Sequence, residues 1–271
     1  MREMTIDELK AVQVDIACAI DAFCAEHGLR YFLGYGSLIG ALRHKGFIPW
    51  DEDIDLGMPR PDYEFFVHHF NGWRSGLVVF APELDSRYYA PYANVCDQST
   101  LLEEENCSHG PFEIGVKVDV FPIDGAPSDE LEWKELRREL EKLNHDLYFK
   151  NVRLAPKFRK GFVTGLKAAG IKMSLVFTSI RGIQRRIREL ATSHDFNASE
   201  MSDKLSFPNP GNTRMKRDVF EHYIDVEFEG HKFKAPRDYD VYQRAIYGDY
   251  MTLPPESERV PHHGFHAWWK D

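Results

Sequence analysis

Three aspartates at alternate positions run straight into an apolar alternation in the stretch Pro49-Trp50-Asp51-Glu52-Asp53-Ile54-Asp55-Leu56-Gly57-Met58. In a strand, side chains two apart share a face, so Asp53 and Asp55 point one way while Ile54, Leu56 and Met58 point into a core. Two carboxylates that close repel by about 4 kcal/mol at an effective dielectric of about 20. A divalent cation or a raised pKa relieves that cost. A second strand-like run, Val116-Lys117-Val118-Asp119-Val120-Phe121, puts its valines on one face and Lys117 with Asp119 on the other. Three carboxylates from two strands would complete a hard, oxygen-lined site suited to magnesium, with manganese as the alternative.

The rest of the chain is that of an ordinary globular protein: 271 residues, 43% hydrophobic and 28% charged, enough for one elaborated domain with a large core. No apolar run approaches the roughly 20 residues that span a bilayer. The first residues carry Glu3, Asp7 and Glu8 where a signal peptide would be basic and apolar, so the expected location is the cytoplasm. Cys18, Cys24, Cys96 and Cys107 form no C-x-x-C pair and read as buried free thiols. The net charge of -9 argues against a nucleic-acid partner, yet it conceals an asymmetry. Residues 150–188 hold eleven Lys or Arg and no Asp or Glu, which leaves 23 basic against 43 acidic residues elsewhere. That segment is a basic patch on an acidic protein.

Thr5-Ile6-Asp7-Glu8 reads as a capping box, and Leu9, Val12, Ile16, Ile20 and Phe23 continue at helical spacing until Gly28. Strand, glycine turn and helix follow across residues 31–46, then the aspartate strand, then a helix opened by Pro61. Short strands are predicted near 77–80, 89–95 and 100–104, and the Asp119 strand is expected to end in a turn at Pro122-Ile123-Asp124-Gly125. Residues 128–150 read as a charged helix over the sheet, with Leu131, Leu136, Leu140, Leu143 and Leu147 on its apolar side. The basic stretch is cut by glycines into two or three short helices. A hairpin around Glu229-Gly230, a helix over 238–246 and a proline-rich aromatic tail complete the chain.

A Gly-Ser pair at a helix N-terminus offers backbone amides to phosphate oxygens. Gly36-Ser37, then Asp53-x-Asp55 on an apolar strand and Asp119 on another, match the arrangement of the nucleotidyltransferase superfamily. The wording from Gly34-Tyr35-Gly36-Ser37-Leu38-Ile39-Gly40-Ala41-Leu42-Arg43-His44-Lys45-Gly46 through Asp55 resembles the signature of the LicD family, the phosphorylcholine transferases. Asp119-Val120-Phe121-Pro122-Ile123-Asp124-Gly125 and Tyr247-Gly248-Asp249-Tyr250-Met251-Thr252-Leu253-Pro254-Pro255 resemble later blocks of that family.

The resemblance implies an α/β mixed (α+β) fold: a nucleotidyltransferase-like core over 1–127, a helical, partly basic insertion over 128–200 and a C-terminal extension over 201–271, within a single domain. It implies transfer of phosphocholine from CDP-choline to a sugar hydroxyl of a lipid-linked bacterial surface glycan of the teichoic acid type, with release of CMP. Asp53 and Asp55 match the family's metal pair, and Asp119 its third carboxylate, which can also assist deprotonation of the incoming hydroxyl. Where the family often has Gly-Gly-Thr this chain has Tyr35-Gly36-Ser37, a bulkier approach that keeps the hydroxyl. Gly36, Ser37, Arg43, Lys45 and Lys117 are the candidates for donor phosphate. A quaternary ammonium cannot donate hydrogen bonds, so choline needs aromatic faces: Trp50, Tyr89 and Tyr92 are the candidates, with Tyr88, Trp268 and Trp269 behind them. Their blander alternative is core packing.

Other readings compete. Asp51-x-Asp53-x-Asp55 opens like a calcium loop, but Leu56 and Asp62 stand where that loop wants Gly and Glu. A metal-dependent glycosyltransferase would release UDP or GDP instead of CMP, and another CDP-alcohol, of ribitol, glycerol or ethanolamine, would keep the family and change the donor. His262, His263 and His266 have ligand-like spacing without a nearby carboxylate or thiol. The basic segment would meet either solvent or anionic lipid at the inner face of the plasma membrane.

Overall fold

The computed structural model describes residues 1–208, 213–260 and 264–271. Strand β1 (Arg2–Glu3) leads into helix α1 (Ile6–His27), where the Glu8 amide donates to Thr5 Oγ1 (3.2 Å) and the Thr5 amide to Glu8 Oε2 (2.9 Å). The capping box thus satisfies two amides that a helix start leaves unpaired. Leu9, Val12, Ile16, Ile20 and Phe23 are all buried. At about 1.5–3 kcal/mol for each side chain fully withdrawn from water, this face holds the helix on the core.

Strand β2 (Phe32–Leu33), helix α2 (Tyr35–His44), strand β3 (Asp55–Pro59) and helix α3 (Arg60–His69) follow in the predicted order, with β4 (Leu77–Phe80), β5 (Ala93–Asp97), β6 (Thr100–Glu104) and β7 (Lys117–Ala126) after them. Helices α4 (Glu130–Asn151), α5 (Leu154–Arg159), α6 (Phe162–Ser174) and α7 (Ile180–Ala191) come next, the last three dividing the basic stretch at Gly161 and at the 175–179 turn, while Gly165 and Gly170 lie within α6 and Gly182 within α7. Strands β8 (Met201–Asp203), β9 (Met215–Lys216), β10 (Tyr223–Phe228) and β11 (His231–Pro236), helix α8 (Tyr239–Tyr247) and strand β12 (Phe265–Trp269) finish the chain.

Among the described residues the central sheet has seven strands, in the order β2-β3-β7-β5-β4, with β8 joined to the far end of β7 and β9 to β8. β3 and β7 are parallel and the other pairs antiparallel, which makes the architecture the mixed α/β class expected. Ile54, Leu56, Met58, Val116, Val118 and Val120 are fully buried in one core. The alternate residues Asp55, Asp119 and Phe121 therefore share the opposite face. β10 and β11 form the predicted hairpin, with Glu229 (φ 50°) and Gly230 (φ 76°) both in the left-handed region that such a turn requires.

Four expectations are corrected. Asp53 lies just before the strand, which begins at Asp55. The Asp119 strand does not turn at Pro122 but runs on to Ala126, because Asp124, Gly125 and Ala126 pair with Asp203, Ser202 and Met201. Pro122 falls in the gap between the pairing to β5, which ends at Val120, and the pairing to β8, so on that edge its missing amide forfeits no ladder bond. The aromatic tail is strand β12, wedged between β1 and β6 with Trp269 opposite both Arg2 and Thr100. Finally, α4 packs on α7 in a second apolar cluster with Ala126 and Leu205, and Leu131 points to solvent at 72% exposure while Leu140 and Leu147 are buried. His262 and His263 lie outside the described residues.

A buried ionic network ties α3 to both ends of this frame. Arg60 Nε donates to Asp124 Oδ1 (2.6 Å), its Nη1 to Glu83 Oε1 (3.3 Å) and its Nη2 to Ser206 Oγ (2.7 Å). Removing the guanidinium would strand two carboxylates in low dielectric. Arg60→Leu is expected to cost about 3–5 kcal/mol in urea unfolding. A loss below about 1 kcal/mol would show that the network does not hold the frame.

Candidate active site

The register of the sheet builds the site. Asp55 stands directly beside Asp119 across the parallel pair, and Asn94 stands beside Asp119 on the other side. Ser37, buried at the start of α2, fixes the approach: the Asp55 amide donates to Ser37 Oγ (2.9 Å) and the Gly34 amide to the Asp55 carbonyl (2.8 Å). The helix start is thereby bolted to the carboxylate strand. A Cβ at Gly36 would come within 2.5 Å of Asp51 Oδ2 and make that side chain shift. Tyr35 holds φ at 46°, a conformation a non-glycine residue adopts at a cost of about 1–3 kcal/mol.

A cavity of about 450 Å³ opens over these residues, lined among others by Tyr35, Asp53, Asp55, Tyr92, Lys117 and Asp119. Sequence reasoning put five of them forward as site residues and named Tyr35 only as added bulk at the phosphate approach. It missed Glu104, Phe121, Lys204, Phe207 and Tyr247 on the same wall. Lys204 follows β8, and only the pairing of β8 with β7 carries it to the site, so no local pattern announces it. Phe121 was legible as the next residue on the Asp119 face, two positions on.

The charges balance in a definite way. Lys117 Nζ donates to both oxygens of Asp119 (3.0 and 3.3 Å) and lies 3.6 Å from Glu104. Burial disfavours its ammonium, but Asp119 and Glu104 hold the proton on, well above the usual lysine range. Asn94 donates to Asp119 Oδ1 and accepts from the buried Tyr88 phenol, so the third carboxylate is oriented from behind. Burial, then the neighbouring Asp53 and Asp119, push the Asp55 carboxyl well above its ordinary value.

Lys204 is the second cation. Its ammonium lies 4.2 Å from the centroid of the Tyr35 ring, 4.3 Å from that of Phe121 and 4.9 Å from that of Phe207. Tyr92 packs on Phe121 and Phe207 at centroid distances of 4.3 and 5.4 Å. Burial lowers the Lys204 pKa to about 7, against the pull of Asp55, Asp203 and Asp119. Aromatic faces and carboxylates together therefore enclose an ammonium.

The other candidates lie elsewhere. Trp50 packs with Ile39, Ile48 and Tyr250, and its ring faces Arg259 at 5.8 Å. Tyr89 is buried between Tyr88 and His109, behind Asn94. Arg43 donates to the Tyr250 carbonyl (3.0 Å), and the Lys45 carbonyl accepts from the Glu229 amide (2.8 Å). None of these four lines the cavity. Ser37 does its work within the scaffold, as the partner of the Asp55 amide.

Among the described residues no three His, Cys, Asp or Glu side chains stand close enough to hold a metal ion as they are. Asp119 is turned onto Lys117 and Asn94 instead. The donor set nonetheless fits a hard divalent ion in kind, because it is all carboxylate oxygen and the crowding that raises Asp55 is what such an ion relieves. Asp53 and Asp55 are the residues that would hold it, with Asp119 joining once it releases Lys117.

Residues 28–106 match the family model described as LicD/FKTN/FKRP, nucleotidyltransferase domain. Over 282 aligned positions the chain is 30% identical to the lipopolysaccharide cholinephosphotransferase LicD of Haemophilus influenzae, covering 97% of each protein. The chain belongs to the LicD family. A shorter similarity, 61% identity over 52 residues, links it to the ribitol 5-phosphate transferase FKRP of Homo sapiens and of Mus musculus, covering 19% of this chain and 10% of theirs. This LicD chain is accordingly a phosphotransferase.

Glu104 offers a test of the charge balance that is independent of activity. Burial opposes its charge, but Lys117 and His109 override it and hold the carboxyl at about 2, against 4.5 ordinarily. A lowered folded pKa contributes stability above the unfolded value that is lost as the pH falls through the folded one. Wild type should thus exceed Glu104→Gln by roughly 2–3 kcal/mol at neutral pH, and the gap should close between about pH 4.5 and about pH 2 in urea unfolding. A gap independent of pH would show that the carboxylate is not held by these cations.

Proposed function

We propose that this chain transfers phosphocholine from CDP-choline to a sugar hydroxyl of a lipid-linked bacterial surface glycan, releasing CMP. The observation that carries the choline reading is the cage of Tyr35, Phe121 and Phe207 around an ammonium, on the wall that also carries Asp55 and Asp119. A trimethylammonium group takes its binding energy from ring faces and nearby negative charge, and this wall offers both. The name of the Haemophilus relative, a lipopolysaccharide cholinephosphotransferase, supports the same donor group and a surface glycan as acceptor. A teichoic acid repeat and a lipooligosaccharide are the two acceptor types the reading admits.

In the reaction the acceptor oxygen attacks the phosphocholine phosphorus, the bond from that phosphorus to the bridging pyrophosphate oxygen breaks, and the electron pair leaves with CMP. Asp119 is the carboxylate suited to take the hydroxyl proton, since Asn94 and Tyr88 hold its orientation. Lys117 offsets phosphate charge beside Asp119, and Lys204, which leaves the rings when the choline group takes them, offsets it as well. A magnesium ion held by Asp53 and Asp55, or manganese in its place, would add charge neutralisation on the donor pyrophosphate. Gln13 and Tyr92 complete the wall against which the donor is oriented.

The similarity to the ribitol 5-phosphate transferase favours a second reading, in which the donor is CDP-ribitol or a related CDP-alcohol. CMP release by the purified protein, with each CDP-alcohol and a glycan extract as acceptor, separates the two. Asp55→Asn should lower the rate with CDP-choline by about 10²–10³-fold, and Phe207→Ala should raise KM for CDP-choline about ten-fold with little change in kcat. Faster turnover of CDP-ribitol, indifferent to Phe207→Ala, would discard choline while leaving family membership intact.

A further inference from the structure

Helix α6 carries its apolar side chains on the wrong face for a helix in water. Its inward side is made of small residues, with Gly165 and Ala168 buried and Gly165 so tight against the Phe158 ring of α5 that a Cβ would come within 2.2 Å of it. The large side chains point outward. Phe162 is 71% exposed, Met173 72% and, in the turn that follows, Phe177 99%, with Val163, Leu166 and Val176 beside them. Phe162, Leu166, Met173 and Phe177 follow one another at spacings of four, seven and four, a single stripe along the helix and into the turn. A monomeric protein in water rarely leaves such a stripe uncovered.

Over α5, α6 and the 175–179 turn the sequence carries charge of one sign. Between residues 150 and 188 there are eleven Lys or Arg and no carboxylate, on a chain whose net charge is -9. A second copy pairing stripe to stripe would bring two basic surfaces of the same sign together, which repel. A surface that is apolar at a shallow depth and anionic at its rim complements both features at once.

We propose that α5, α6 and the 175–179 turn dock this chain on an anionic membrane surface, with Phe162, Leu166, Met173 and Phe177 entering the headgroup layer and Lys157, Lys160 and Lys167 facing the lipid phosphates. The attachment to the cavity is short. Lys172 Nζ donates to the Val152 carbonyl (2.7 Å) and Lys150 Nζ to the Leu175 carbonyl (3.1 Å), which fixes the helical pair to the end of α4. That end is in turn bonded to the cavity rim, where the Arg153 amide donates to the carbonyl of Asn106, a lining residue, at 3.0 Å. Docking would hold the cavity at a fixed height above the lipid. Among the described residues no helix is long and apolar enough to cross a membrane.

The test uses the full chain and co-sedimentation with vesicles of phosphatidylcholine alone or with about a third phosphatidylglycerol. Binding is expected to the mixed vesicles only, to fall at about 0.5 M salt, and to drop about ten-fold or more in Phe162→Glu/Phe177→Glu. Both positions are exposed, so an unchanged thermal melt is expected and confirms that folding is not the cause. No sedimentation with anionic vesicles overturns the proposal, as does binding that the paired substitution leaves unchanged. Dimerisation abolished by the same pair, without vesicle binding, would assign the stripe to a second copy and overturn it too. None of these readouts depends on the CDP-alcohol, so failure here leaves the proposed reaction standing.

Discussion

Asp55 and Asp119 are set side by side by the register of two parallel strands, and much of the site exists to make that placement tolerable. Parallel pairing gives the two carboxylates the same face at one strand spacing, which no side-chain rotation undoes. The surroundings answer with two buried ammonium groups, Lys117 on Asp119 and Lys204 toward Asp55, and with an amide, Asn94, that fixes one carboxylate. Each answer is incomplete. Asp55 stays pushed toward its neutral form, and Lys204 is pulled down to about 7 by the burial that lets it approach. A site with residual electrostatic strain of this kind is suited to a ligand that brings both signs of charge.

How much of this was legible depends on where each side chain comes from. Asp53, Asp55, Lys117 and Asp119 sit on or beside strands whose alternation is written in the sequence, so the face they share follows from the period of two. Tyr92 was named because it is aromatic and near a strand and it lines the cavity, whereas Trp50, named on the same reasoning, does not. Trp50 precedes Asp55 by five residues but leaves the chain before the strand begins, and it packs with Ile39, Ile48 and Tyr250. Proximity in sequence to a carboxylate strand does not confer its face. Lys204 and Phe207 were invisible because the pairing of β8 with Asp124, Gly125 and Ala126 delivers them, and that pairing was hidden by a proline read as the end of the strand.

The same physics accounts for the misjudged tail. Phe265, Ala267 and Trp269 alternate with His266 and Trp268, a period-two pattern of only five residues following a proline-rich stretch. It becomes a strand because two open edges, β1 and β6, lie ready to receive it, and the ends of the chain are thereby joined through Arg2 and Trp269. Since Phe265 also lines the cavity, the last strand closes the wall that the first residues of the fold open.

The distribution of the site along the chain bears on donor choice. Residues 28–106, the stretch that matches the family model, contain Tyr35, Ser37, Asp53, Asp55 and Tyr92. Lys117, Asp119, Phe121, Lys204 and Phe207 all come from beyond it. On the proposed reading, the shared stretch carries the carboxylate pair and its clamp, which any CDP-alcohol needs, while two of the three rings around the ammonium come from later segments free to differ. Proteins alike in the first part can therefore act on different alcohols without altering the chemistry at phosphorus. Tyr35 is the exception, the one cage ring inside the shared stretch, held at a left-handed φ that glycine would adopt without cost. Keeping a strained tyrosine at this position has a physical rationale on the proposed reading, in which its ring receives the cation, and the 4.2 Å approach of the Lys204 ammonium to that ring is the contact such a role requires.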